Sequence, residues 1–183
     1  LLERLYDIYE RRMDDMAEAI SMEMGAPIDF SKASQATSGT SAIKEFTRQL
    51  KKFEFEEQLD DSDDRLLYEP KGVCALITPW NWPISQVALK VIPAIAAGCT
   101  MVLKPSELSP LDSMIFAEML DEAGCPAGVF NLVNGDGAGV GSQLTSHPDI
   151  DMISFTGSTR AGSLISHNAA DDFKRVALEL GGK

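Results

Sequence analysis

The chain lacks the features of a membrane-embedded, secreted or metal-holding protein. No apolar run approaches the length of a membrane-spanning helix, and no basic segment followed by an apolar one opens the chain as a secretory signal would. There are only three cysteines, without CxxC spacing, and two histidines. Sparse thiols favour a reducing compartment, so we expect a cytoplasmic protein without a disulfide framework and without a metal site.

Positive charge is also scarce. Lys and Arg number 16 against 28 Asp and Glu, which gives a formal net charge of −12 at pH 7. Such an acidic surface repels phosphate backbones and anionic lipids, so neither nucleic acid nor a membrane is an expected partner. A small anionic ligand is not excluded, because backbone N–H groups at a helix N-terminus can hold one locally.

What the chain does contain is an ordinary globular composition. Hydrophobic residues make up 44% and charged residues 24% of 183 residues, enough for a well-formed core. The sequence begins with Leu1 inside a helical pattern and stops at Lys183, shortly after an apolar run. We therefore expect an internal segment of a longer protein.

Two helical patterns precede residue 53. Apolar residues recur with a 3.6-residue period over 1–24, where Gly25 and Pro27 end the helix, and again over 32–51. Alternating apolar and charged residues then predict a short strand that leads into a solvated acidic loop. The residues concerned are Phe53, Phe55 and Leu59 for the strand, and Asp60, Asp61, Asp63 and Asp64 for the loop.

Further along the chain, short apolar runs alternate with helical stretches. Continuously apolar runs are typical of buried parallel strands, which helices connect. Five runs and four intervening helices predict a doubly wound α/β fold, with a mostly parallel sheet and helices on both faces. The predicted strands are 73–77, 100–103, 129–133, 152–155 and 176–180, and the predicted helices are 84–97, 111–123, 140–146 and 160–170.

Glycines, polar residues or aromatic residues stand at the end of every predicted strand. In an open α/β sheet, ligands bind beyond the carboxyl ends of the strands, so these residues are expected to meet at one edge. The segments are 78–83 (TPWNWP), 104–107 (KPSE), 134–141 (NGDGAGVG), 156–159 (TGST) and 179–182 (ELGG). Their convergence predicts a ligand site more strongly than any one of them does.

Each segment also has a structural interpretation. Gly157 and Ser158 suit a pyrophosphate at a helix start, but equally a plain serine N-cap. The glycines at 135, 137, 139 and 141 miss the GxGxxG spacing because position 140 is valine, so a tight turn explains them as well. Lys104 and Glu107 are either a ribose-binding pair or exposed surface residues.

The loop after the first strand and the end of the last strand carry candidate catalytic groups. The Asn81 amide offers two N–H donors to an oxyanion, although a packing loop with an Asx turn would also use this residue. Glu179 would suit a general base if burial raised its pKa, and otherwise it is an exposed glutamate at a strand end.

Taken together, these segments resemble the NAD(P)-dependent aldehyde dehydrogenase superfamily. They occur in family order over residues 72–183, whereas the first 70 residues fit more loosely. The matching segments are 77–83 (ITPWNWP), 98–107 (GCTMVLKPSE), 128–135 (GVFNLVNG), 154–159 (SFTGST) and 178–183 (LELGGK).

The resemblance implies a Rossmann-type cofactor domain in an enzyme that oxidises an aldehyde to a carboxylic acid through a cysteine thiohemiacetal and thioester. Asn81 would donate to the oxyanion, Glu179 would activate the hydrolytic water, and Glu107 would favour NAD over NADP. The implied cofactor contacts are Ile77, Thr78, Pro79, Trp80, Asn81, Lys104, Ser106, Glu107, Gly137, Gly141, Phe155, Thr156, Gly157, Ser158, Glu179 and Leu180.

The resemblance also implies how the chain is divided and what it lacks. Helices over 1–52 would pack on a dinucleotide-binding domain at 71–183, and 53–70 would begin a strand that bridges subunits of a homo-oligomer, a dimer or tetramer. No cysteine here matches the family's nucleophile, which follows the Glu-Leu-Gly-Gly motif. These residues alone are therefore expected to be inactive, with a non-catalytic dinucleotide-binding module as the alternative.

Overall fold

A five-stranded parallel sheet forms the centre of the protein. A computed structural model describes residues 1–60 and 62–182, so Asp61 of the acidic loop and Lys183 of the last motif lie outside the described residues. The strands are β3 (Val73–Ile77), β4 (Thr100–Lys104), β5 (Phe130–Leu132), β6 (Met152–Gly157) and β7 (Arg175–Leu180). Their order is β5-β4-β3-β6-β7, with every neighbouring pair parallel.

Helices cover both faces of this sheet, which confirms the predicted doubly wound α/β fold. One face packs against α5 (Pro83–Ala96) and α6 (Leu111–Glu122) and against helices that precede the sheet, namely α1 (Leu2–Arg11), α2 (Met13–Met24) and α4 (Thr37–Leu50). The other face packs against α7 (Ser142–Ser146) and α8 (Thr159–Ala170). Within the described part of the chain, no helix has the length and apolarity that crossing a bilayer requires.

The β3 strand shows why its run is continuously apolar. Successive side chains of a strand point to opposite faces of the sheet. Cys74 and Leu76 belong to the core on the α5 side, and Ala75 and Ile77 belong to the core on the α8 side. Since helices cover both faces, neither set can be polar.

The predicted elements are present, with several changes at their boundaries. The single helix expected over 1–24 divides at Arg12, whose φ of −107° and ψ of 19° interrupt the helical backbone. The helix expected over 140–146 begins earlier, as a π-helical turn over Gly137–Gly141. Another π-helical turn, Ser31–Gln35, follows the short α3 helix (Ile28–Phe30) and leads into α4.

The strand expected around Phe53–Leu59 is one arm of a hairpin. The arm is β1 (Glu56–Gln58), and it pairs antiparallel with β2 (Arg65–Leu67). Sequence reasoning missed β2 because its three residues are too few to show alternation.

Tyr9 joins the N-terminal helices to the rest of the core. Its buried ring meets Phe116 of α6 edge-on, with ring centroids 6.3 Å apart. Its hydroxyl donates to the carbonyl of Ala36, at 2.8 Å. A Cβ on Gly39 would lie 2.4 Å from that hydroxyl, so only glycine allows α4 to approach so closely.

A carboxylate from α2 caps the start of α6. The Glu23 side chain accepts hydrogen bonds from the backbone N–H groups of Leu111, at 2.6 Å, and Asp112, at 3.4 Å. Asp112 is itself fully buried, and its Oδ2 atom has no hydrogen-bond partner among the described residues. Burial, reinforced by the charge of Glu23, raises the pKa of Asp112 to about 8.

This buried acid makes stability depend on pH. Its folded-state pKa of about 8 lies above the ordinary value of 3.8, so the unfolded chain loses the proton first as the pH rises. The unfolding free energy should therefore fall between about pH 4 and pH 8. In the full-length protein, we expect Asp112→Asn to melt roughly 2–6 °C above the wild type at pH 8.5 and much closer to it at pH 5.

The control for this prediction is Asp121→Asn, an exposed acid on the same helix. It should melt within a degree or so of the wild type at both pH values. If Asp112→Asn and the wild type melted at the same temperature at pH 8.5, ionisation of the buried Asp112 carboxyl would not destabilise the fold.

Candidate functional site

A pocket of about 340 Å³ opens at the carboxyl ends of β3, β4 and β6. The chain moves outward from β3 to β5 and then returns to place β6 on the other side of β3, so the strand order reverses at this point. Such a switch point is where open α/β sheets bind ligands. The pocket is lined by Ile77, Lys104, Gly137, Ala138, Gly141, Ser142, Thr145, Phe155, Arg160, Ala161, Leu164, Ile165 and Asn168.

Part of the predicted site lines this pocket, and the rest lies beside it on the same edge of the sheet. The predicted residues in the lining are Ile77, Lys104, Gly137, Gly141 and Phe155. The predicted residues outside the lining are Thr78, Pro79, Trp80 and Asn81 after β3, Ser106 and Glu107 after β4, Thr156, Gly157 and Ser158 at the end of β6, and Glu179 and Leu180 at the end of β7.

Lys104 is buried and holds two loops together. Its ammonium donates to the carbonyls of Pro105 and Gly135, both at 2.7 Å, and the nearest carboxylate oxygen of Glu107 lies at 3.6 Å. The side chain is only 3% exposed, so an exposed surface lysine is not what the structure shows. Since an ammonium has three donors, one is left for Glu107 or a ligand.

The glycine-rich turn is only partly explained by packing. A Cβ on Gly135 would lie 2.3 Å from Val140, and a Cβ on Gly139 would lie 2.6 Å from Asp136 Oδ1, which accepts from the Gly139 N–H. By contrast, a Cβ on Gly137 would meet nothing within 4 Å, and one on Gly141 would make ordinary contacts. These last two glycines line the pocket, where the absence of a side chain leaves room for a ligand.

The β6–α8 junction contains the serine N-cap that the sequence suggested. Ser158 is the N-cap of α8, and its Oγ accepts from the backbone N–H of Ala161 at 3.2 Å. Arg160 and Ala161 of the first turn also line the pocket. Beside them, the hydroxyl of Thr156 is buried without a hydrogen-bond partner in the described structure. Such a group is costly unless a ligand or water satisfies it.

The loop after β3 is largely exposed in the described structure. Trp80 is 52% exposed and Trp82 is 40% exposed, and Asn81 between them is also exposed. Trp82 has a φ of +50°, an uncommon conformation for a residue other than glycine. Asn81 is therefore accessible to solvent beside the pocket edge.

Glu179 is exposed on β7, which agrees with the alternative of an exposed glutamate at a strand end. It lies near Lys90 of α5, a residue that sequence reasoning missed. The Lys90 ammonium donates to Ser154 Oγ at 2.9 Å; burial lowers its pKa, and the charge of Glu179 opposes that shift. The signal for Lys90 was a lone lysine in an otherwise apolar helix, which is a poor place for an unpartnered charge.

Residues on α7 and α8 were also missed. Asn168 donates to Thr145 Oγ1 at 3.0 Å and so joins the two helices behind the pocket. Neither residue stands near a strand end in the sequence, and only the packing of α8 on the sheet brings them to the site.

The three cysteines lie at the opposite edge of the sheet. Cys74 is near the amino end of β3, Cys99 directly precedes β4, and Cys125 lies in the turn after α6. Burial, with the neighbouring Cys99, raises the pKa of the Cys74 thiol to about 12, and burial also raises the pKa of Cys125. A thiol with a raised pKa is a poor nucleophile, and the parallel strands hold these thiols away from Asn81.

A model of the aldehyde dehydrogenase family matches residues 1–183. The chain belongs to the aldehyde dehydrogenase family. A 3-succinoylsemialdehyde-pyridine dehydrogenase of a Pseudomonas species is 54% identical over 184 residues, which cover 100% of this chain and 38% of that protein. The chain thus spans well under half the length of this dehydrogenase.

Crystal structures of the family share the fold. An aldehyde dehydrogenase from Bartonella henselae is 60% identical, with a TM-score of 0.96, over 100% of this chain and 39% of that one. A cysteine-to-alanine mutant of aldehyde dehydrogenase C from Pseudomonas syringae, in complex with NAD⁺ and octanal, is 50% identical, with a TM-score of 0.97, over 100% of this chain and 37% of that one.

The hydrogen bonds of the buried Lys104 lead to a prediction about stability. Lys104→Met keeps the apolar stem but leaves the Pro105 and Gly135 carbonyls without their donor. We expect the unfolding free energy of the full-length protein to fall by about 2–4 kcal/mol, measured by urea denaturation. The exposed Lys52→Met is the matched control and should change it by less than about 0.5 kcal/mol. Equal effects of the two substitutions would mean that Lys104 does not hold these loops.

Proposed function

We propose that the protein to which this chain belongs is an NAD-dependent aldehyde dehydrogenase that converts an aldehyde to its carboxylic acid. The observation that carries the proposal is the pocket at the β3–β6 switch point, which is built from the segments that resemble the family. The relative crystallised with NAD⁺ and octanal, 50% identical to this chain, supports it.

The residues of the pocket and of the sheet edge beside it fit a dinucleotide. Lys104, Ser106 and Glu107 would hold the adenosine ribose, and the apolar Ile77 and Phe155 would flank the adenine. Gly157, Ser158 and the N-terminus of α8 would face the pyrophosphate, where the helix dipole favours negative charge. The unpartnered Thr156 hydroxyl and the open space over Gly137 are the observations that leave a role for a ligand.

Asn81 and Glu179 would assist the reaction itself. When bound, the nicotinamide supplies a hydride acceptor. Asn81 donates hydrogen bonds to the carbonyl oxygen as it becomes an oxyanion. Glu179, although exposed in the described structure, would accept a proton from the water that hydrolyses the acyl-enzyme, a role that the family resemblance supports. The charge of Glu179 in turn acts on the buried Lys90 ammonium, where it opposes the lowering of the Lys90 pKa by burial.

The nucleophile must come from outside these residues. Aldehyde oxidation of this kind needs a thiolate at the carbonyl carbon, and the three cysteines lie at the wrong edge of the sheet. We propose that residues 1–183 alone do not oxidise aldehydes. Aldehyde-dependent NADH formation by the full-length protein tests the function; tight NAD⁺ binding without it would favour a non-catalytic dinucleotide-binding module.

The proposal extends to the arrangement of the chain. Helices over 1–52 would pack on a dinucleotide-binding domain at 71–183. The 53–70 hairpin would bridge subunits of a homo-oligomer, a dimer or tetramer, and its exposed Phe53, Phe55 and Tyr68 support this role. A cytoplasmic location is supported by cysteines that are free.

Glu107 should decide between the two nicotinamide cofactors. Its carboxylate would accept from the ribose hydroxyls and repel a 2′-phosphate. We expect Glu107→Gln to shift the ratio of kcat/KM for NAD⁺ over NADP⁺ by about tenfold towards NADP⁺. Glu10→Gln, an exposed glutamate on α1, is the control. An unchanged ratio would show that the cofactor is selected elsewhere.

Asn81 should affect the chemical step rather than cofactor binding. We expect Asn81→Ala to lower kcat by about 10²–10³-fold while the KM for NAD⁺ stays within about twofold of the wild-type value. Steady-state kinetics with saturating aldehyde measure both. A large rise in the KM for NAD⁺ with kcat unchanged would assign Asn81 to cofactor binding instead.

A further inference from the structure

One side of the pocket at the switch point is a slot between two helices. On α8, the lining residues recur every three or four positions and so form a single helical face: Ala161, Leu164, Ile165 and Asn168. The other wall belongs to the π-helical turn and α7, and its lining residues are Gly137, Ala138, Gly141, Ser142 and Thr145. Because most of these side chains are small or apolar, the slot suits a flat ring that is held by contacts on its faces.

A polar pair interrupts this mostly apolar lining where α7 and α8 meet. Asn168 is half-buried, and its Nδ2 donates to Thr145 Oγ1 at 3.0 Å. Thr145 is buried, and its hydroxyl donates in turn to the carbonyl of Ser142 at 3.1 Å. The pair therefore brings fixed hydrogen-bonding groups to the wall of the slot.

These two hydrogen bonds fix the orientation of the Asn168 amide. Because the Thr145 hydroxyl proton is already given to a carbonyl, its oxygen can only accept, so the amide must present its nitrogen to it. Asn168 Oδ1 accepts from none of the described residues, and Nδ2 keeps a second N–H. Asn168 thus offers an acceptor and a donor side by side.

An acceptor beside a donor matches the edge of an adenine base. The exocyclic amino group of adenine is a donor and the adjacent ring nitrogen is an acceptor, and an asparagine amide binds that pair with two hydrogen bonds. Hypoxanthine carries a carbonyl oxygen in place of the amino group, so two acceptors would face each other at Asn168 Oδ1. The same amide therefore attracts one base and disfavours the other.

The distance from the proposed pyrophosphate site agrees with this placement. Asn168 lies ten residues beyond Ser158, the N-cap of α8, and a helix rises by about 1.5 Å per residue, which separates the two by about 15 Å along the axis. This separation is comparable to the length of an extended adenosine diphosphate with a hydrogen bond at each end. A dinucleotide whose pyrophosphate lies at the start of α8 can therefore bring its purine to Asn168.

We infer that Asn168 selects adenine as the base of the dinucleotide, and that Thr145 is a positioning residue that holds the Asn168 amide in the required orientation. The inference rests on the proposed function, because it concerns the adenosine end of the same cofactor. A dinucleotide whose purine carries a carbonyl at the 6-position is disfavoured.

Two dinucleotides that differ in this one group test the inference. The full-length protein is titrated by calorimetry with NAD⁺ and with nicotinamide hypoxanthine dinucleotide, in the absence of aldehyde. We expect the dissociation constant to be about tenfold lower for NAD⁺, which is within the range for one pair of hydrogen bonds to a base edge. Equal dissociation constants would overturn the inference.

A variant at Asn168 ties the preference to its amide. Asn168→Leu has nearly the same shape but neither donor nor acceptor, so the ratio of the two dissociation constants should fall from about ten to about one. Ser166→Ala is the matched control, because its hydroxyl donates to the Gly162 carbonyl on the same helix but does not line the pocket. It should leave the ratio as it is. An unchanged ratio in Asn168→Leu, with a wild-type melting temperature, would overturn the role of Asn168.

A variant at Thr145 tests the orientation separately and leaves Asn168 in place. Thr145→Val removes the oxygen that fixes the amide, which is then free to turn and donate to the hypoxanthine carbonyl. We expect the same ratio to fall several-fold. A purely structural contact between the helices would weaken both dinucleotides alike, so a ratio that stayed at about ten would overturn the positioning role.

Failure of the proposed function would look different. If neither dinucleotide bound while the protein showed a cooperative melt, the dinucleotide site itself would be wrong, and this inference would fall with it. If both bound equally well and the protein oxidised aldehydes, the function would stand and only the selection of the base would be overturned.

Discussion

The common direction of the five central strands is the constraint on which the rest of the structure depends. In a parallel sheet, every carboxyl end emerges at one edge, so segments far apart in sequence meet there. The reversal of strand order beside β3 then opens a crevice at this edge, because the connections from β3 and β6 leave towards opposite faces. Lys104, Gly137 and Phe155 reach one pocket for this reason.

Because the strands are parallel, the two edges of the sheet carry different kinds of side chain. The carboxyl edge collects Asn81, Lys104, Ser158 and Glu179, which can hold an oxyanion, an anion or a proton. The amino edge holds the cysteines, and burial favours the neutral thiol of Cys74 and Cys125. Outside the sheet, Glu23 caps α6 from α2, so the N-terminal helices support the loop that carries Glu107.

Much of this arrangement was predictable, because burial on both faces leaves a simple pattern. Each central strand is a short apolar run between turn residues, and the predicted bounds differ from the observed ones by only a residue or two. Boundaries were less predictable where the backbone departs from the α-helix, as at Arg12 and over Gly137–Gly141. The β2 strand was missed because a three-residue exposed strand has no periodicity to read.

The sequence by itself determined the order of the elements, the family and the set of residues at the strand ends, since these follow from local pattern and motif. Only the tertiary structure decided which of those residues share a pocket, that Lys104 is buried while Glu179 is exposed, and that Lys90 stands near Glu179. The physical reason is that burial and proximity depend on how the helices pack across the sheet. This packing brings together residues that are far apart along the chain, and their spacing in the sequence does not reveal the contact.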